Sequence, residues 1–323
     1  MHLLHFRSPF SRELDDLRQL VRAEWSGTVY RTQSIKKDYR RLIGTAPEGG
    51  FSHARSCYNC RYLLLAKAKR YMERIGAAYI VTGEVLTAGG PSSDDLIEMT
   101  ARLGMRSRIL RPLLSSIGAD APRDLTSWAR RKGRVRSTKS KHALLGEAAA
   151  DLGMDPRDPM RCECRCKFSA DGFGKRVASL FGEAGFTLNA LRLLDFELFY
   201  KVGASTKIVL ARDEAEKREL QNLFLPEDFR VYPATPHGPM TLVRTDWDAK
   251  SPADRREVID LAARITATFV DSAGPAAIPI YYRQELDDET LLLNARPFQS
   301  ADEIAAIGGV EMIPLATPQA LVA

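Results

Sequence analysis

The sequence predicts an α/β domain built on a parallel sheet, followed by a smaller α+β domain. Three observations lead there. Over about the first 110 residues, short apolar runs alternate with amphipathic stretches, the pattern of strands joined by crossover helices. A patch at 155–159 carrying Pro156 and Pro159 then reads as a linker. From about Phe186 the pattern becomes six short β-rich runs with only two helical stretches between them. The boundaries drawn from these signals are 1–160, a cysteine-rich connector at 161–185, and 186–323.

In order, residues 3–6 read as an opening strand, and Ser11 caps a helix over about 12–24 with Leu14, Leu17, Leu20 and Val21 on one face. A second strand is expected at 27–30, a helix at 35–43, and a Gly/Pro loop at 44–51. A long helix follows, starting near Cys57 and Cys60, with Leu64, Ala68, Tyr71, Met72 and Ile75 on its apolar side and Gly76 as its stop. Residues 78–82 are a buried strand ending in Gly83-Glu84, where an open α/β sheet places its ligand. The small-residue loop at 87–95 looks like a phosphate loop but lacks the G-x-x-x-x-G-K-[ST] pattern. A helix at 93–103, a strand at 108–111 and a helix at about 139–152 complete the first domain. In the second, strands are expected at 196–202, 207–211, 229–232, 240–243, 278–283 and 291–296, with helices at 213–225 and 253–269.

The 323 residues are 45% hydrophobic and 27% charged, ordinary for a globular protein. No stretch approaches the ~18 apolar residues of a membrane span. The first residues do not read as a signal peptide, so a cytoplasmic protein without a membrane partner is expected. The net charge of +6 is modest, but the window 130–141, R-R-K-G-R-V-R-S-T-K-S-K, contains no acid. Such a stripe is the electrostatic footprint of nucleic-acid binding, or else a solvated basic loop. Arg134, Arg136, Lys139 and Lys141 are the candidate phosphate contacts.

Five cysteines in two tight clusters favour metal or catalytic use over disulfides. A helix N-terminus lowers a thiol pKa, so Cys57 and Cys60 are expected as thiolates. Two thiolates three apart plus a third from afar, one of Cys162, Cys164 and Cys166, can hold a metal or a [4Fe–4S] cluster. A structural zinc on Cys57, Cys60 and two of Cys162, Cys164 and Cys166 is an alternative. His53 is a further candidate ligand, while His5 and His237 read as structural. Glu84 is placed either to orient a nucleotide or Mg²⁺, or to cap a helix.

The stretch Cys57-x-x-Cys60 with G-A-A-Y-I-V-T-G-E-V-L at 76–86 resembles the PP-loop (N-type ATP pyrophosphatase) tRNA thiolases, in particular 2-thiouridylase-like proteins. L-R-P-L at 110–113, G-R-V-R at 133–136 and the surroundings of Cys166 are similar as well. The resemblance implies tRNA as substrate, ATP-dependent conversion of uridine to a thiouridine, and a sulfur donor or relay protein as partner. It implies Cys60 and Cys166 as the catalytic pair, or Cys57, Cys60 and Cys166 as cluster ligands. It also places Phe6, Gly83 and Glu84 at the nucleotide. The family's S-G-G-x-D-S phosphate loop is missing, and L-L-H-F-R at 3–7 resembles its second strand. A misassigned start, a partner chain supplying the loop, or a relative without ATPase chemistry would each account for this. The alternative class is a non-catalytic RNA-binding adaptor with a structural zinc, and a third is sulfur insertion into a small molecule. The C-terminal part, with G-P-M-T-L-V-R at 238–244, resembles the NFACT-type RNA-binding domain that ends the family.

Overall fold

The structure is a computed structural model that describes residues 1–11, 21–22, 27–47, 49–84, 91–111, 150, 166–169, 171–180, 186–235, 237–270 and 276–315. The chain divides into two units, Met1–Ser169 and Ala170–Ala323. The expected connector is thereby shared: Cys166 belongs to the first unit and residues 171–180 to the second.

In the first unit, β1 (His2–Arg7) pairs in parallel with β2 (Val29–Ser34), from His2 opposite Val29 to Arg7 opposite Ser34. A short 3-10 turn, Lys36–Asp38, and α1 (Tyr39–Leu42) follow and leave Ile35 and Leu42 fully buried. The expected Gly/Pro loop is a small hairpin of β3 (Gly44–Thr45) and β4 (Phe51–Ser52). Gly49 and Gly50 at its tip have φ of +92° and +82°, a region costly for any side chain.

The long helix is α2 (His53–Arg74), capped by Ser52, whose hydroxyl accepts from the Arg55 amide. Gly76, at φ +67°, turns the chain out of it as the sequence predicts. Its buried face agrees with the predicted one at Tyr71 and Met72 and departs from it at Leu64. Leu65, not Leu64, is buried, together with Tyr71 and Met72. The run Leu63–Leu64–Leu65–Ala66 is apolar all round, so periodicity alone does not choose between neighbours. Leu65 and Met72 pack with Leu96, Met99, Leu103, Met105 and Ile109. Each such burial contributes roughly 1.5–3 kcal/mol. These partners come from α3 (Ser93–Arg102), closed by a Ser92–Asp95 capping box, and from its flanks. β5 (Ile80–Val81) and β6 (Ile109–Leu110) pair in parallel across α3.

The parallel pairs of the first unit remain two separate two-stranded pieces among the described residues. The continuous parallel sheet that the sequence predicts is not seen there. β5 and β6 are two residues each, far short of the five or six usual for a core strand. The predicted helix over 12–24 falls mostly outside the described residues, as do 85–90 and the basic window.

The second unit opens with α4 (Asp171–Leu180) and α5 (Leu188–Leu193). Its sheet uses β7 (Leu198–Val202), β8 (Thr206–Ala211), β9 (Phe229–Pro233), β10 (Met240–Arg244), β11 (Ile278–Gln284), β12 (Leu291–Ala295) and β13 (Val310–Met312). The seven strands run in the order β12-β11-β9-β10-β8-β7-β13, every pair antiparallel. All six strands expected here are present within two or three residues of their predicted ends. β13 was not expected: three residues are too few for an alternation to register.

Helices α6 (Glu214–Gln221), α7 (Pro252–Thr268) and α8 (Ala301–Ala305) complete the unit. α7 lies across β9 to β12 on one face of the sheet. Its Val258, Ile259, Ala262, Ala263 and Ile265 bury against Ile208, Leu210, Val231, Val243 and Ile280. The two alanines are small enough for a close approach of the helix to the sheet, and the Thr241 and Thr266 hydroxyls then meet at 2.7 Å. Arg176 on α4 is wholly buried and donates to the carbonyls of Ile313 (2.6 Å), Leu194 (2.8 Å), Glu197 (2.7 Å) and Phe196. Burial lowers its guanidinium to about 10, so it remains protonated and donating at neutral pH.

Candidate functional site

The thiols of the first unit are assembled by two local devices. The first sets the position of α2. Ser56, buried on its first turns, donates to the Ser52 carbonyl at 2.7 Å and accepts from the Gly44 amide at 2.9 Å. Gly44 has no side chain because a Cβ there would overlap the Cβ and backbone of Arg55. β3 is thus held against the start of the helix, and Cys57 and Cys60 follow one turn apart. The second device is Phe168, a buried ring among Phe10 (5.2 Å), Phe51 (5.7 Å) and His53 (5.0 Å, stacked at 23°). The Lys167 amide donates to the Phe10 carbonyl at 2.8 Å, and Cys166 forms a β-bridge with Ser11. Together these dock the segment carrying Cys166 beside α2.

Cys57, Cys60 and Cys166 are half-buried cysteines. They lie near enough to interact: burial pushes the Cys60 thiol up to about 12, and the charges of Cys166 and then Cys57 add to the rise. Arg61 opposes this only weakly. The expectation that the helix dipole makes Cys60 a thiolate is therefore corrected. The dipole acts within the first turn, whereas the helix begins at His53 and Cys60 sits two turns in. His53 serves as a ring partner of Phe168, and its burial lowers its pKa. Among the described residues, no group of three or more His, Cys, Asp or Glu side chains is arranged to hold a metal ion. Cys162 and Cys164 lie outside the described residues.

The candidate nucleotide residues lie on two elements, β1 and the end of β5. Phe6 is a half-buried residue of β1 opposite Gln33, and His5 stacks on Tyr30 at 6.4 Å. Gly83 and Glu84 follow β5. Glu84 is 6% exposed. One carboxylate oxygen accepts from Arg61 at 2.9 Å; the other accepts from Arg111 and from the Thr82 hydroxyl at 3.1 Å. Arg111 is itself buried and reaches the Thr100 hydroxyl at 3.0 Å. Burial alone would raise the Glu84 carboxyl, but Arg61 and Arg111 outweigh it and hold the pKa below the ordinary 4.5. Sequence reasoning missed these two arginines. Their only signal is their position, one beside a cysteine and one at a strand end, and the sequence does not pair them. Arg134, Arg136, Lys139 and Lys141 lie outside the described residues.

No helix of the described residues is long and apolar enough to cross a membrane. No curated protein matches the chain. A solved structure, the C-terminal part of the fibronectin/fibrinogen-binding protein from Streptococcus suis, is similar at 13% identity with a TM-score of 0.27. That alignment covers 39% of this chain and 64% of the other. Residues 200–305, which span the strands from the later part of β7 through β12 together with α6, α7 and α8, match the family model of the NFACT protein RNA binding domain.

Proposed function

We propose that this chain is an RNA-binding protein whose C-terminal domain holds the RNA. The observation that carries the reading is the match of residues 200–305 to an RNA-binding family. The acid-free basic window at 130–141 supports it, with Arg134, Arg136, Lys139 and Lys141 as phosphate contacts. The resemblance of the N-terminal part to tRNA thiolases makes tRNA the RNA to test. Titrating labelled tRNA with the full chain should give saturable binding that weakens linearly in log–log form with salt. An Arg134→Ala/Arg136→Ala variant should flatten that slope by about 1.4 to 1.8. Absence of binding at low salt overturns the reading.

The convergence of Cys57, Cys60 and Cys166 favours a second reading, sulfur transfer to a uridine of the bound RNA. Three thiols are by type a donor set for a thiophilic metal, a [4Fe–4S] cluster or zinc, which would have to draw them closer than they stand and would hold them deprotonated. Such a cluster would supply an open iron for sulfide. In the covalent version a sulfur-donor protein delivers sulfane sulfur to Cys60 as a persulfide, the outer sulfur displaces the activated uridine oxygen, and Cys166 releases it by forming a Cys60–Cys166 disulfide that an external thiol reductant reopens. ATP and Mg²⁺ would need a phosphate loop from another segment or chain, and Glu84 would have to leave Arg61 and Arg111 to meet them. Metal and sulfide content with the absorption spectrum of anaerobically purified protein decides between the readings. About four irons and four sulfides, lost in Cys57→Ala, support sulfur transfer. A single zinc supports a non-catalytic adaptor.

A further inference from the structure

The two faces of the C-terminal sheet are unequally covered. α7 seals one face. On the other, α6 packs on β8, and Phe199, Val209 and Leu242 are fully buried. Beyond β10 this second face changes character. Register places Arg230 and Tyr232 of β9 beside Arg283 and Tyr281 of β11, and Tyr281 beside Leu292 of β12. Burial follows the alternation: Ile280 and Ala295 on the α7 side are buried, whereas Pro279, Leu292 and Asn294 on this side are exposed, Leu292 at 55%.

Two features of this surface point to one kind of occupant. The first is a row of flat rings: Tyr232 and Tyr281 lie 5.8 Å apart, tilted by 44°, and both are half-buried with accessible surface remaining. The second is a cavity of about 310 Å³ lined by Lys217, Arg230, Tyr232, Thr235, Gly238 and Arg283. Two of its cations already have partners. Arg230 forms a two-pronged pair with Glu285, at 2.7 and 3.1 Å, and Lys217 bonds Glu214 and the Gly238 carbonyl. Arg283 has no such partner among the described residues, although it stands directly opposite Arg230 in the ladder. Asp287, Asp288 and Glu289 in the following turn form no ion pair with it. An unpaired guanidinium beside a second arginine is a place for an anion, and the two rings next to it are platforms for bases.

We propose that the open face of β9, β11 and β12 is a single-stranded RNA site, with a phosphate at Arg283 and bases stacked on Tyr232 and Tyr281. The proposal rests on the RNA-binding reading and adds the site and the form of the nucleic acid. A cavity of this size takes one nucleotide unit rather than a duplex groove. Lys217 and Arg230 line the same cavity as Arg283.

The test uses the full chain, a labelled oligouridylate, and an RNA duplex of the same length, read by fluorescence anisotropy. The wild-type chain should bind the single strand more tightly than the duplex. Tyr232→Ala and Tyr281→Ala should each weaken oligouridylate binding by about five- to hundred-fold, with Tyr→Phe at either position restoring it. Arg283→Gln should lower affinity and reduce the log–log salt slope by about 0.7. Unchanged melting curves for Arg283→Gln exclude a folding defect. If the wild-type chain binds RNA and these variants bind it equally well, the site is wrong while the RNA-binding reading stands. Preference for the duplex also overturns the site. If the wild-type chain binds neither probe nor tRNA, both fail.

Discussion

Alkylation of Cys60 tests the thiol cluster directly. Burial, with the charges of Cys166 and Cys57 behind it, moves this thiol from 9.0 to about 12. Only the thiolate attacks iodoacetamide, and each pH unit below the pKa reduces it ten-fold. At neutral pH the thiolate fraction is then about a thousand-fold below that of a thiol titrating at 9.0. Labelling of the Cys60 peptide, followed by mass spectrometry against free cysteine in the same tube, should be slower by about that factor. The Cys57→Ser/Cys166→Ser variant removes the two neighbouring charges and leaves the burial. At a pH where the neighbouring thiols ionise, labelling should therefore quicken and still trail free cysteine. Cys60 labelling as fast as free cysteine at neutral pH would refute the reasoning. An unchanged rate in the double variant would show that the three thiols do not interact.

Glu84→Gln should destabilise the first unit by about 3–5 kcal/mol at neutral pH, because it leaves Arg111 buried beside a neutral amide. The folded-state pKa of Glu84 is depressed, so its stabilisation is present above the unfolded value near 4.5 and disappears as pH falls through the lower folded value. Denaturant titrations across that window should show wild-type stability falling with acid and the variant losing part of that dependence. Arg176→Met should cost about 3–5 kcal/mol, since four carbonyls lose a charged donor. For a unit of this size that lowers Tm by roughly 6–20 °C in a thermal melt followed by circular dichroism. Arg176→Lys should recover only part of it, a point charge being unable to serve four acceptors at once. A loss below about 1 kcal/mol for Arg176→Met would refute the role given to it.

The second unit was readable from sequence because its strands are short runs rich in β-branched and aromatic residues. In β8 and β10, Ile208, Leu210, Thr241 and Val243 face α7, and turn residues close every segment. The first unit was less readable. Its strand pairs are short, and its organisation rests on single contacts with no period: Gly44 against Arg55, Phe168 among three rings, Glu84 between two arginines. The nearness of Cys166 to Cys60 was anticipated from a family resemblance, since residues about a hundred apart carry no local signal of contact. The thiolate expectation failed because the dipole rule was applied two turns into the helix, where burial dominates. The open tyrosine–arginine face was present as R-V-Y at 230–232 and Y-Y-R at 281–283. Only the register shows that those residues lie side by side.

The Arg176 clasp has a bearing on how this protein can be cut. One side chain on α4 holds carbonyls at the entry to β7 and a carbonyl just past β13, so it buckles the beginning of the second unit to its end. The stretch that matches the RNA-binding family, 200–305, stops short of both halves of the buckle. A fragment trimmed to that match loses α4, α5, most of β7's lead-in and the edge strand β13, and exposes the flank of β7 to pairing with other chains. The smallest piece that keeps the buckle fastened runs from Asp171 to at least Ile313.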